Sequence, residues 1–327
     1  MTSTAKSELL KRLFDANGEP VSGQDLADEF GVSRTAIWKY VKDLEQEGYE
    51  IGTVRKRGYY LISTPDRINE ANIKKYLTTE AFGQEIRYFE SCDSTQFIAH
   101  ELAQEGAQDG TVVVAEEQLT GKGRMARPWD SKAYKGIWMS VITRPHLTPQ
   151  QAPQMTLVAA VAITRAIEEV TGLTPQIKWP NDLLINEKKV TGILTELQAD
   201  PDLIKSIILG IGINVNQSID EFPEELMSIA TSLKIELGKT INRAELIATT
   251  LKYLEEYTKL YEAHGFSPIK LLWESYSNTI GRRIRATMVN QTVEGLAIGI
   301  TEEGMLELKQ DDGTIFGVYS GDIEFRK

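Results

Sequence analysis

Apolar positions change their period along this chain, and the changes mark its elements. Over residues 6–14, Leu9, Leu10, Leu13 and Phe14 recur at helical spacing, and Asn17-Gly18 closes the run. Ser22 is placed to cap a second helix carrying Leu26 and Phe30, which Gly31 ends; Ser33 is placed to cap a third. In the third helix Ile37, Val41 and Leu44 form one face, while Thr35, Trp38, Lys39 and Lys42 fall on the other. Gly48 is the expected stop. Residues 49–54 and 59–62, joined by Arg55-Lys56-Arg57-Gly58, then predict a hairpin with a basic tip.

Two helices, a turn, a third helix and a hairpin resemble a winged helix-turn-helix, with residues 22–41 as the helix-turn-helix. That resemblance implies a third helix lying in a DNA major groove and a wing tip against phosphates. The candidate DNA-contacting residues are Ser22, Ser33, Arg34, Thr35, Trp38, Lys39, Lys42, Arg55, Lys56 and Arg57. A solvated helical face or a protein-docking module of the same fold is the alternative, and Trp38 could instead pack under the wing. A linker is expected around residues 63–66, where Pro65 interrupts the strand pattern.

Beyond the linker, short apolar strands and longer helical stretches alternate irregularly. A helix is expected near residues 70–77, strands at 86–89, 111–115 and 137–142, and a long apolar helix over 155–170. Ser91-Cys92-Asp93-Ser94-Thr95-Gln96 leads into a helix expected over about 97–105, where hydroxyls could simply be caps. A strand over 176–179 leaves through Pro180; a hairpin turning at Asn186-Glu187 then carries Lys189 back towards Asp182 and Lys178, and a strand follows over 206–212. This order predicts a mixed sheet with helices packed on it. From about residue 276, short alternating segments punctuated by Gly295, Gly304 and Gly313 predict a small β module.

Length and composition narrow the picture. At 327 residues the chain is too long for one ordinary core; three domains are expected, at residues 1–65, 66–273 and 274–327. The longest apolar run, around residues 155–163, is too short to span a bilayer, so no membrane partner is expected. Cys92 is the only cysteine, which rules out an internal disulfide and suits a reducing, cytoplasmic setting. The net charge of −11 argues against a general nucleic-acid coat. Residues 1–65 nevertheless carry nine Lys/Arg against ten Asp/Glu, so nearly all of the excess negative charge lies elsewhere.

The chemistry concentrates in Gly121-Lys122-Gly123-Arg124-Met125-Ala126-Arg127-Pro128-Trp129, in Lys178-Trp179-Pro180-Asn181-Asp182, and in Lys188-Lys189-Val190-Thr191-Gly192. Glycines beside fixed cations suit an approach to phosphate, although a solvated basic turn has the same composition. No G-x-x-x-x-G-K-[ST] occurs, Gly210-Ile211-Gly212 is only half a dinucleotide fingerprint and reads as a tight sheet exit, and no histidine or cysteine cluster suggests zinc.

Taken together, Ser94-Thr95-Gln96, Gln118, residues 121–129, residues 178–182, Lys189 with Gly192, and Gly210-Ile211-Gly212-Ile213-Asn214 resemble, in this order, the biotin protein ligases. The amino-terminal module points to the two-function bacterial kind that also represses the biotin operon. One departure is visible: the family loop reads Gly-Arg-Gly-Arg, and Lys122 replaces the first arginine, a planar fork, by a point charge.

The resemblance implies an α+β chain: a winged helix-turn-helix, a central mixed-sheet α/β ligase domain and a small SH3-like β-barrel at the carboxyl end. It implies that biotin and ATP are joined as an adenylate, with Mg²⁺ accompanying ATP, and that biotin passes to a lysine of a biotin carboxyl carrier domain of acetyl-CoA carboxylase. Ser94, Thr95, Gln96 and Gln118 would hold the biotin head group, and Lys122, Gly123, Arg124 and Lys189 its carboxylate side. Arg124, Arg127, Trp129, Lys178, Asn181 and Asn214 would meet ATP and the adenylate. Arg124, Lys189 and Asp182 would be the catalytic residues, Asp182 either orienting Lys178 or Lys189 or sharing the metal. The glycine loop would fold over the product and order on ligand binding. Operator DNA and an adenylate-bound homodimer complete the implied partners. A biotin-sensing regulator without ligase activity and a lipoate ligase are the rival readings.

Overall fold

The computed structural model describes residues 2–46, 49–63, 66–200 and 203–326. They form two compact units, Met1–Lys75 and Tyr76–Lys327. Gly48, Thr64 and Pro65, to which a helix stop and a linker were assigned, lie outside the described residues.

The first unit contains α1 (Thr2–Asp15), α2 (Gly23–Phe30), α3 (Arg34–Gln46), the hairpin β1 (Glu50–Val54) and β2 (Gly58–Ser63), and α4 (Glu70–Lys74). Local signals account for most of it. The Ser22 hydroxyl accepts from the N–H groups of Gln24 and Asp25, Gly31 closes α2 at φ 64°, and the Ser33 hydroxyl accepts from Ala36 N–H at 3.2 Å. Leu9, Leu13, Leu26, Ile37, Val41 and Leu44 are buried in one core. Gly58, at φ 120°, lies so close to the preceding segment that a Cβ would sit 1.9 Å from Val21 O. Val21 and Tyr59 exchange backbone hydrogen bonds there, which fixes the hairpin against the start of α2.

The second unit is built on β3 (Ile86–Cys92), α5 (Thr95–Gln104), β4 (Val112–Gln118), β5 (Ile137–Thr143), α6 (Gln154–Thr171), β6 (Gln176–Lys178), β7 (Asp182–Ile185), β8 (Lys188–Asp200) and β9 (Leu203–Ile213). The seven strands run in the order β3-β4-β5-β9-β8-β7-β6, with only β3 and β4 parallel. The mixed sheet read from the alternation is therefore present. Helices α7 (Leu233–Leu237), α8 (Arg243–His264) and α9 (Ser267–Tyr276) follow. α5 packs on β4, β5 and β9; α6 packs on β6, β7 and β8 and is backed by α8 and α9. Because α6 is covered on so many sides, it is apolar nearly all round. No helix among the described residues is long and apolar enough to cross a membrane.

Five antiparallel strands complete the unit: β10 (Arg283–Thr287), β11 (Thr292–Ile300), β12 (Leu306–Lys309), β13 (Ile315–Val318) and β14 (Asp322–Phe325), in the order β13-β12-β11-β10-β14. Ile284, Ala286, Ala297, Leu306 and Leu308 are fully buried within this sheet. Trp179 Nε1 donates to Gly304 O at 3.3 Å and Gln154 Nε2 to Glu302 O at 2.6 Å, so the carboxyl-terminal sheet is tied to the central one.

Three buried charged side chains fix the frame around the sheet. Arg243, at the start of α8, donates to Glu116 in β4 at 2.7 Å and to Gly136 O at 2.9 Å, with both charged side chains fully buried. Such a pair holds position because removing either partner strands the other charge. The Glu255 carboxylate accepts from the N–H groups of Glu80, Ala81 and Phe82 at 2.9–3.1 Å and from Lys259 at 2.8 Å. Burial opposes its ionisation, but the bonds from Lys259 and those N–H groups outweigh burial and pull it down to about 2.

A carboxylate depressed in the folded state stabilises it above its ordinary value near 4.5, and this contribution disappears as pH falls towards 2. Glu255→Gln is expected to cost on the order of 2 kcal/mol near neutrality, the scale of hydrogen bonds to a charged group. Denaturant titrations across the acid range should show that cost shrinking as pH drops; a difference independent of pH would refute the assignment.

Candidate active site

A cavity of about 300 Å³, in the range of small-molecule pockets, is lined by the end of β4, the loop that follows it, β5, β7–β9 and residues 222–230. Its floor begins at α5. That helix starts at Thr95, two residues earlier than the apolar pattern placed it, and Ser94 in the capping position makes no side-chain cap hydrogen bond. The hydroxyls are thus not spent on capping. Thr95 N–H and Oγ1 donate to Gln118 Oε1 at 2.9 and 3.0 Å, and Thr95 Oγ1 lies 2.9 Å from Ser140 Oγ. Gln118 Nε2 donates to Ser131 Oγ, and Ser140 Oγ to Gln96 Oε1, both at 2.9 Å. Ser131 and Ser140 were not among the sequence candidates. Ser140 carried one faint signal, a hydroxyl in the middle of a strand buried throughout, which is costly unless bonded.

The loop after β4 closes into a narrow hairpin: Trp129 N–H donates to Gly121 O at 2.9 Å and Gly123 N–H to Arg127 O at 2.8 Å. Its tip, Met125 and Ala126, sits at φ 55°. Only the first glycine is sterically required, since a Cβ on Gly121 would meet Ser131 Oγ and Trp129 O at 2.7 Å, whereas one on Gly123 would meet nothing closer than 3.8 Å. Gly123 spends its N–H inside the loop and so does not offer it to an anion in this conformation.

Gly210 and Gly212 do not make a sheet exit, as their spacing suggested; both lie within β9. Gly212 pairs with Gly192 on β8, leaving a bare patch on which the Trp129 indole lies. A Cβ on Gly212 would stand 2.5 Å from Trp129 Nε1, and one on Gly192 would stand 2.8 Å from its ring. Trp138 meets the same indole edge-on at 6.4 Å.

Four cations approach the cavity. Lys189 Nζ is 2.6 Å from the Asp182 carboxylate and 5.2 Å from the Trp129 ring centroid. Arg124 donates to Asn181 Oδ1 at 3.1 Å and to Gly321 O at 3.3–3.4 Å. Burial draws the Arg124 guanidinium below its ordinary value, with Asp322 and Asp182 opposing the shift. Arg127 pairs with Asp322, and Lys122 is exposed at the mouth. Asn214 lines the cavity, its Oδ1 accepting from Gln217 at 3.2 Å.

Lys178 is not brought into this group. It is not among the cavity-lining residues, and its ammonium lies 5.4 Å from the Phe325 ring. Cys92, although paired with Gln118 across β3 and β4, is not among the cavity-lining residues either, and burial, reinforced by Asp93, pushes its thiol up to about 11.

In the first unit Ser33, just before α3, and Arg34, Thr35, Lys39 and Lys42 on it are exposed, as are Arg55, Lys56 and Arg57 at the hairpin tip. Trp38 is 53% exposed and so does not pack beneath the hairpin. Ser22 is used as the α2 cap, and Lys42 pairs with Glu45.

Such a chain, a helix-turn-helix unit ahead of a mixed sheet whose cavity gathers cations, is of the ligase-with-DNA-binding-domain class. Models of three families match it: an HTH domain over residues 6–60, the biotin/lipoate A/B protein ligase family over 88–214, and the biotin protein ligase C terminal domain over 279–326. The chain is 49% identical over 324 residues to the bifunctional ligase/repressor BirA of Bacillus subtilis (strain 168), covering 99% of each. It is 30% identical over 312 residues to BirA of Escherichia coli (strain K12), covering 95% of this chain and 94% of that one. Among solved structures it resembles the biotin protein ligase from Aquifex aeolicus in complex with biotin and ATP, with 32% identity, a TM-score of 0.65, and coverage of 75% of this chain and 99% of that one. The chain belongs to the family of bifunctional biotin protein ligases and repressors.

Gly212→Ala is expected to displace Trp129 and cost about 1–3 kcal/mol, the usual penalty of overpacking a filled site. Near-UV circular dichroism with thermal melting checks it; an unchanged indole signal and melting temperature would show that the bare patch is not what seats the ring.

Proposed function

We propose that this protein activates biotin with ATP, transfers it to a lysine of a biotin carboxyl carrier domain, and in its adenylate-bound form represses transcription as a homodimer on operator DNA. The three domains at residues 1–65, 66–273 and 274–327 divide this work among DNA binding, adenylation with transfer, and support of the nucleotide side. The setting is the cytoplasm.

The observation that carries the reading is the convergence of Arg124 and Lys189 on one cavity with a hydroxyl- and amide-lined floor. In the first step a biotin carboxylate oxygen attacks the α-phosphorus of ATP and the bond to pyrophosphate breaks. Two anions must meet, so the barrier is mainly electrostatic, and fixed cations directed at the developing charge lower it. Arg124 is anchored by neutral oxygens and keeps its charge for that phosphate; Lys189, oriented by Asp182, stands opposite. In the second step the carrier lysine amine attacks the acyl carbon and AMP leaves. No nucleophilic side chain of this protein is required. The Thr95, Gln96 and Gln118 groups suit a urea ring, Trp129 and Asn214 suit the adenine side, and Ser94, Lys122, Gly123, Arg127 and Asn181 border them.

Magnesium would come with the ATP phosphates, which supply most of its ligands. Among the described residues no cluster of three or more His, Cys, Asp or Glu could hold it. The Asp182 carboxylate is engaged by Lys189, which favours the orienting role over metal binding. Lys178, outside the cavity lining, is more consistent with joining the central sheet to Phe325 than with contacting ATP.

The decisive assay mixes the protein with Mg²⁺-ATP and either biotin or lipoate, and follows pyrophosphate release and label transfer to a carrier domain. Transfer with biotin alone is expected; biotin binding without pyrophosphate would make the protein a sensor, and lipoate turnover would overturn the substrate assignment.

Lys189→Ala is expected to slow pyrophosphate release by about 10²–10³-fold, the loss seen when one preorganised charge-stabilising donor is removed, with the fold intact. Release at the wild-type rate would eliminate its role. Replacing Lys39 and Lys42 by Ala should weaken operator binding and flatten its dependence on salt by about 2 in log–log slope per protomer. Gel-shift titrations over a salt series measure this, and an unchanged slope would remove both lysines from the DNA interface.

A further inference from the structure

We propose that Glu196, which is not part of the cavity lining, is a positioning residue that sets the hydrogen-bond polarity of the pocket floor through Gln96, and so favours a ring carrying N–H donors. This rests on the ligase reading above and adds a specificity determinant to it.

A carboxylate can only accept hydrogen bonds. Glu196 Oε2 receives Gln96 Nε2 at 2.9 Å and His100 Nε2 at 2.8 Å. The far side of His100 fixes its own proton. Gln198 Oε1 accepts from Ser206 Oγ at 3.1 Å and its Nε2 donates to His100 O at 3.1 Å, so the amide nitrogen faces His100 Nδ1, 2.8 Å away. Nδ1 is therefore the acceptor, and Nε2 carries the hydrogen that points at Glu196.

The near side leads to the ligand. With its nitrogen committed to Glu196, Gln96 turns Oε1 to Ser140, which donates to it at 2.9 Å. Bare backbone makes this possible, since a Cβ on Gly210 would lie 2.6 Å from that oxygen. The single Ser140 hydrogen is then used, and its oxygen faces Thr95 Oγ1 as an acceptor at 2.9 Å. The Thr95 hydrogen goes to Ser140 or to Gln118 Oε1 at 3.0 Å. Either way Thr95 Oγ1 keeps lone pairs for a cavity whose wall it shares with Gln96 and Ser140. A cyclic urea N–H satisfies such an acceptor; a ring without N–H leaves it unpaired.

A neutral amide at position 196 removes the shorter of two constraints, leaving only Ile208 O, which receives Gln96 Nε2 at 3.3 Å. The amide could donate to Gln96 Oε1, letting Gln96 invert, donate to Ser140, and send the Ser140 hydrogen to Thr95. The floor would then fluctuate between two polarities, one of which leaves Thr95 Oγ1 a single lone pair for the urea instead of two.

The test uses full-length protein and pyrophosphate release. Wild-type protein must first show biotin-dependent release; its absence would overturn the ligase reading itself, before any variant is considered. In Glu196→Gln the KM for biotin should rise on the order of tenfold, the net worth of one hydrogen bond, with kcat within about twofold. The KM for ATP should stay within about twofold of wild type, which a general loss of structure would not allow. An unchanged KM for biotin in Glu196→Gln, a loss that falls on kcat, or a KM for ATP that rises in parallel would each overturn the proposal.

Discussion

The cavity depends on holding positive charges side by side before any anion arrives. Lys189, Arg124, Arg127 and Lys122 would disperse if each sought solvent, and each would lose its use if fully neutralised. The chain restrains them unequally. Asp182 holds Lys189 and Asp322 holds Arg127, whereas Arg124 is anchored by the neutral oxygens of Asn181 and Gly321. A cation fixed by dipoles is oriented while its charge stays available, the arrangement expected where charge develops during reaction. Asp322 and Gly321 belong to the entry of β14, so the carboxyl-terminal sheet completes the cationic side of a cavity built mostly by the central one.

The rest of the frame serves that placement. The buried Arg243–Glu116 pair pins β4 just ahead of Gln118 and the basic loop. Two facing glycines, Gly192 and Gly212, clear the floor for Trp129, whose ring lies beneath the Lys189 ammonium. On the opposite side two runs of hydrogen bonds converge on the Glu196 carboxylate, one from Ser206 through Gln198 and His100, the other from Ser140, beside Thr95, through Gln96. Charge governs one end of the cavity and hydrogen-bond direction the other, which suits a substrate with an anionic tail and a polar, neutral head.

Signals confined to a few residues were readable directly. Ser22, Gly31 and Ser33 punctuate the helices of the first unit because caps act over one turn, and the buried face of α3 follows from a 3.6-residue period. The approach of Lys189 to Asp182 was also legible, since a two-residue turn at Asn186-Glu187 leaves little freedom in pairing β7 with β8. By contrast, Lys178 shares a motif with Asp182 yet is drawn towards Phe325, a residue remote in sequence. The start of α5, the use of the Gly123 N–H and the role of Gly210 and Gly212 all depended on neighbours that the local pattern does not contain.

By itself, then, the sequence determined the elements, the mixed character of the sheet, the winged first unit and the loops that carry the cations, because periodicity, capping and turn chemistry are short-range. Tertiary structure alone decided that Ser131 and Ser140 bond the polar groups of the cavity, that Glu196 meets Gln96, that Gly321 and Asp322 restrain the arginines, and that Lys178 stands apart. These are pairings between single polar atoms tens to nearly two hundred residues apart. Such contacts leave no repeating pattern along the chain; only the folded sheet brings donor and acceptor within hydrogen-bonding distance.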